Sequence, residues 1–185
     1  MKILYFTDLH GDQAKYDLIK TLVDKNRIKV IINGGDMLPK GRNMFRDQAD
    51  FIKYYLSPHF AYFNERGIYY LNCLGNDDFR INDELFNEVC SQYPFVKNIA
   101  QKKVVINGFE FIGLNWVCDY PFRLKDRCRL DGPNFVLPHQ LGSALLSTEN
   151  GYQEIPDWLE FVSSLPTIED ELNRLPSCDD PKKTV

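Results

Sequence analysis

Three short apolar runs, residues 2–6, 28–32 and 68–74, each end in a cluster of small and metal-competent residues. No other feature constrains this chain as much. The clusters are Thr7-Asp8-Leu9-His10-Gly11-Asp12, Asn33-Gly34-Gly35-Asp36 and Gly75-Asn76-Asp77-Asp78. Between and after the runs the apolar spacing changes to a helical period. Residues 13–25 carry Leu18, Ile19, Leu22 and Val23 on one stripe, with Asp12 where an N-cap belongs. Residues 45–66 carry Phe51, Ile52, Tyr55 and Leu56, and Pro58 is expected to break or kink that helix. Residues 82–93 carry Leu85, Phe86, Val89 and Cys90. Nearly continuous apolar strands alternating with helices predict an α/β protein whose sheet is covered on both faces. In such sheets ligands sit beyond the carboxyl ends of the strands, where all three clusters fall.

Downstream, Asn107-Gly108 between residues 104–106 and 109–114 predicts a tight hairpin. Residues 115–154 form a long stretch punctuated by Pro and Gly, expected to be an insertion within a single domain spanning 1–185. Helices are expected again at 156–165 and 167–175. The run Lys182-Lys183-Thr184-Val185 reads as the polar run-in to a further strand of a longer polypeptide, with a frayed terminus as the alternative. Lys plus Arg is 22 against 26 for Asp plus Glu, a net charge of −4. That balance argues against gripping nucleic acid by phosphate neutralisation, yet leaves room for a small phosphorylated substrate in one local pocket. No apolar stretch approaches the roughly 20 residues that cross a bilayer. The five cysteines include no CxxC pair, so a reduced, cytoplasmic protein is expected.

Asp8 and His10, one residue apart at a strand end, are expected to point to the same face by alternation. A carboxylate and an imidazole so placed suit Mn, Fe or Zn. Asp36 follows two glycines on the strand expected to lie between the others, and so is the candidate to bridge two cations. Asn76 offers a neutral amide oxygen. Alone, a D-x-H spacing arises mostly by chance, Gly-Asp after a strand is often just a turn, and Gly75-Asn76-Asp77-Asp78 reads equally as a hairpin or helix-cap segment. Their order at three successive strand ends favours metal ligation.

These residues resemble the calcineurin-like metallophosphoesterase superfamily, whose ordered signature is D-x-H, then G-D, then G-N. The resemblance covers about residues 1–114, and the segment 116–126 is similar to an insertion in prokaryotic predicted phosphoesterase branches. It implies a two-sheet sandwich flanked by helices and hydrolysis of a phosphomonoester or phosphodiester by a metal-activated water at a dinuclear centre. It further implies that Asp8 and His10 hold the first metal, Asp36 bridges, and Asn76 holds the second. Many members place after the Gly-Asn a histidine that protonates the leaving oxygen; here Asp77 stands there and becomes the catalytic candidate. The later histidine motifs, the last written G-H-x-H, are not found, and His59 and His139 read as packing or surface residues.

Arg42, beside Gly41, is preferred over Lys40 and Arg46 as a substrate-binding residue, with Arg80 as a second candidate. Arg123, Lys125, Arg127 and Arg129 read as a phosphate-gripping lid or as a solvated edge paired with Asp119, Asp126 and Asp131. The alternative function is a protein-interaction scaffold of the same fold with a vestigial metal site. A receiver-like or nucleotide-binding module ranks far behind, because neither a P-loop nor a G-x-G-x-x-G is present.

Overall fold

The computed structural model describes all residues 1–185, which divide into two compact units, Met1–Asn98 and Ile99–Val185. The first is an α/β unit. Strand β1 (Ile3–Phe6) leads through helix α1 (Gln13–Asn26) to β2 (Val30–Asn33). A long helical path of α2 (Met44–Phe51) and α3 (Ser57–Asn64) leads to β3 (Tyr69–Asn72). A 3₁₀ turn (Arg80–Asn82) and α4 (Asp83–Ser91) then precede β4 (Val96–Asn98). The strands pair in parallel in the order β1-β2-β3-β4, with Phe6 level with Asn33 and Asn33 level with Asn72. Register therefore brings the three polar clusters to one edge, as the sequence predicts.

A parallel sheet whose strands advance in one direction through right-handed crossovers carries its helices on one face. Ile31, Tyr70 and Val96 pack there with Tyr16, Ile19 and Val23 of α1, Ile52, Phe60 and Phe63 of the long path, and Phe86 of α4. The opposite face buries Val30 and Leu71 but leaves Tyr5 of the edge strand 62% exposed. The expected double covering therefore does not reach β1. Asp12 caps α1 as predicted, accepting from the amides of Ala14 and Lys15 at 3.0 and 3.3 Å.

Pro58 does not break its helix. Between α2 and α3 the path widens into a π turn (Ile52–Leu56), in which the Ser57 amide reaches back five residues to the Ile52 carbonyl. The proline falls in the first turn of α3, where a missing N–H is tolerated. His59 on α3 is a packing residue, as expected: it is buried among the rings of Tyr16, Phe63 and Tyr70.

The second unit is built from small pairings. Strands β5 (Lys103–Ile106) and β6 (Phe109–Ile112) form the expected hairpin, with Asn107 and Gly108 both at positive φ. The terminal backbone runs beside β6, with Glu110 donating to Lys183 and Val185 donating to Glu110. Two parallel stubs, β7 (Val117–Cys118) and β8 (Cys128–Arg129), and the antiparallel pair β9 (Ala144–Thr148) and β10 (Gly151–Ile155) give structure to residues 115–154. Helices α5 (Trp158–Ser163) and α6 (Ile168–Arg174) follow.

The alternating cations of this segment form neither a lid nor a solvated edge, although the expected pairing with Asp119 is present at Lys125. Lys125 and Asp119 are both fully buried and pair at 2.8 Å, and Trp158 and Gln140 also donate to that carboxylate. Arg129 lies over the Trp116 ring and 3.6 Å from Glu171, whereas Arg123 alone of the four is exposed. Buried charges persist only when paired and hydrogen-bonded, and Lys125 meets that condition. His139 is exposed. No helix is long and apolar enough to cross a membrane.

Candidate metal centre

Regular pairing of β1 with β2 ends at Phe6 and Asn33, but the two loops stay hydrogen-bonded beyond it. Gly34 donates to Phe6 at 2.9 Å, Asp8 to Gly35 at 3.2 Å, His10 to Asp36 at 2.9 Å and Gly11 to Met37 at 2.9 Å. These bonds hold Asp8, His10 and Asp36 in left-handed backbone, at φ of 58°, 48° and 52°. Each such residue costs on the order of 1 kcal/mol or more and persists where its surroundings over-determine it. Asp8 and His10 thus lie beyond the strand, and left-handed turns rather than strand alternation aim them.

Two close approaches then join the second and third loops. A Cβ on Gly35 would lie 2.7 Å from Gly75 Cα, and one on Gly75 would lie 2.3 Å from both the amide nitrogen and Oδ1 of Asp36. Only glycine allows backbones this close. The Asp77 amide donates to Asp36 Oδ1 at 2.9 Å. Asn76 stands between these two contacts. Asp78, fully buried, accepts from the amides of Met37, Leu38 and Gly75 at 3.0, 2.8 and 2.8 Å and so ties the loops together.

One donor atom each from Asp8, His10 and Asp36 lies within 4.8 Å of the others. His10 Nε2 is 3.7 Å from Asp8 Oδ1, and its buried Nδ1 has no hydrogen-bond partner. Burial, helped by the charges of Asp78, Asp77 and Asp8, pushes the Asp36 carboxyl up from 3.8 to about 6, against the opposing pull of the Asp77 amide. A buried carboxylate held among other acids, an unpartnered imidazole nitrogen and an open mouth suit a divalent cation, whose charge would relieve the Asp8 and Asp36 carboxylates at once. The donor set fits a metal.

The remaining predicted site residues sit around this cluster. Asp77 pairs with the Lys40 ammonium. Arg42 is exposed on the loop after Asp36, and Arg80 is exposed at the start of the 3₁₀ turn. Two organising residues escaped the sequence reading. Asp78 was visible only as the second acid of a doublet. Gln48 lies on the helical stripe of Phe51, Ile52 and Tyr55, so a polar residue at a core position was its signal. It is fully buried, donates to the carbonyls of Pro39 and Asp77 at 3.3 and 3.0 Å, and accepts from the Phe79 amide at 2.9 Å.

A family model described as calcineurin-like phosphoesterase matches residues 1–168. A solved crystal structure is similar over 75% of this chain at 16% identity and a TM-score of 0.48, and this chain spans 58% of that one. No curated protein matches the chain.

Proposed function

Because the chain belongs to the calcineurin-like phosphoesterase family, a family of metal-dependent phosphoesterases, we propose that it hydrolyses a phosphomonoester or phosphodiester at the Asp8–His10–Asp36 cluster. The observation that carries this reading is the convergence of three ligand-competent atoms within 4.8 Å on strained backbone. In this reading Asp8 and His10 would hold one divalent cation (Mn, Fe or Zn), Asp36 would serve both that cation and a second, and Asn76 would contribute to the second. When bound, such ions supply Lewis-acid polarisation of phosphoryl oxygens and an acidified water.

The chain's own residues do the rest. The Asp77 amide holds Asp36 Oδ1 and so orients the carboxylate between its neighbours. Asp77 is the candidate proton donor to the leaving oxygen, a role open to it only as the protonated acid, parted from the Lys40 ammonium it now pairs with. Arg42 and Arg80 are the candidate contacts to the substrate's anionic end. The substrate is a small phosphorylated molecule, and the chain's net charge of −4 argues against a grip on nucleic acid by phosphate neutralisation. A cytoplasmic location belongs to the same proposal.

The test is metal analysis and Mn²⁺ titration of the purified chain, followed by assays on phosphomonoester and phosphodiester reporters. Two equivalents of bound ion with turnover are expected. A chain that binds no metal and is inert would overturn the proposal and leave the scaffold reading.

A further inference from the structure

Gln48 is a neutral, fully buried side chain whose hydrogen-bonding capacity is spent on the loops around the metal centre. Its amide nitrogen donates to the carbonyls of Pro39 and Asp77 at 3.3 and 3.0 Å. Its oxygen accepts from the Phe79 amide at 2.9 Å and from the Asn82 carboxamide at 3.2 Å. Two carbonyls on one side and two N–H donors on the other fix which way the group faces, and only a carboxamide supplies both. Because Gln48 sits on α2, these bonds tie residues 77–82 to the position of that helix.

Asn76 is the residue this arrangement governs. It stands between Gly75, whose amide donates to Asp78 at 2.8 Å, and Asp77, whose amide donates to Asp36 at 2.9 Å and whose carbonyl Gln48 holds. Removing Gln48 takes the partner from that carbonyl, and a carbonyl so deprived is satisfied most cheaply by moving toward water. Asn76, one residue away, moves with it. The Asp8–His10–Asp36 group is braced by other bonds. The His10 amide donates to the Asp36 carbonyl and the Gly11 amide to Met37, both at 2.9 Å, and Asp78 accepts from the amides of Met37 and Leu38. None of the Gln48 bonds reaches Asp8, His10 or Asp36.

We propose that Gln48 is a positioning residue for Asn76 and through it sets the affinity of the second cation, leaving the first unaffected. The assignment rests on the dinuclear phosphoesterase reading above.

The experiment titrates the purified chain with Mn²⁺ by calorimetry and records the electron paramagnetic resonance spectrum at saturation, for wild type, Gln48→Met, Gln48→Glu and Phe63→Leu. Wild type is expected to bind two ions and give the spectrum of a coupled pair. Gln48→Met keeps the side chain's length without its donors, and is expected to weaken the second ion at least tenfold while the first stays within about threefold. Its spectrum should become that of an isolated ion. Gln48→Glu should lose the second ion in the same way, although its carboxyl could only add attraction for a cation, and it decides the matter if Gln48→Met does not fold. Phe63→Leu, a core substitution on α3, registers what general loosening does and is expected to keep both ions. A second ion held as tightly by the Gln48 variants as by wild type overturns the assignment alone. So does an equal loss of both ions, a matching loss in Phe63→Leu, or failure of both Gln48 variants to fold, each of which makes the residue merely structural. Wild-type protein that binds fewer than two ions overturns the dinuclear reading, and this inference with it.

Discussion

Asp36→Asn separates what the site costs from what it does. In the metal-free protein the Asp36 carboxyl is raised from 3.8 to about 6 by burial and neighbouring acids. Its proton is then held more tightly when folded than when unfolded. Stability is therefore fully present below about pH 4 and is lost as pH rises through about 6. At full weight that loss is about 3 kcal/mol. Solvent entering the open mouth screens it to about 1–2 kcal/mol.

Asparagine keeps an oxygen for the Asp77 amide, tolerates the left-handed backbone at φ 52°, and cannot ionise. Asp36→Asn is thus expected to melt about 3–6 °C above wild type at pH 8 in EDTA. The two should converge near pH 4. Mn²⁺ should reverse the order, because an ion that binds only the folded wild type stabilises it in proportion to the logarithm of its concentration over Kd. Hydrolysis by the variant should be lost. Thermal melts across pH, with and without Mn²⁺, check all of this. A variant no more stable than wild type at pH 8 in EDTA, or one stabilised equally by Mn²⁺, would refute the reasoning.

Two further substitutions probe the packing beneath the site. Gly75→Ala places a methyl 2.3 Å from the backbone and carboxylate of Asp36, so it should cost about 2–3 kcal/mol and weaken Mn²⁺ binding; denaturant melts and metal titration check both, and unchanged values would contradict the close approach. His59→Phe should stabilise the protein by about 1–2 kcal/mol at pH 8, since both ring nitrogens are buried without partners. Burial also lowers His59 from 6.5 to about 3, so the unfolded chain takes up the proton first and wild-type stability falls as pH drops from 6.5 toward 3. The advantage of His59→Phe should therefore grow on acidification, by up to about 3 kcal/mol at pH 4, and urea titrations at the two pH values measure it.

Much of the architecture was legible before any coordinates. Period-two and period-3.6 patterns are local, so the three strands, their helices, the Asp12 cap and the Asn107-Gly108 hairpin followed from neighbours in the chain. So did the gathering of the polar clusters, because parallel strands in register bring their carboxyl ends to one edge. Strand β4 was missed because three residues are too few to show a period. The buried cations at Lys125 and Arg129 were misread because alternation reveals spacing and not which side meets a carboxylate.

What the sequence determined by itself was the set of ligand-competent residues and the side of the sheet on which they meet. Tertiary structure decided how they are aimed. Left-handed turns at Asp8, His10 and Asp36, the Asp78 and Gln48 clamps and the Lys40–Asp77 pair join residues as much as 41 positions apart. No local repeat encodes such a contact. It exists only where two loops are pressed together closely enough that backbone strain on one is repaid by hydrogen bonds from the other.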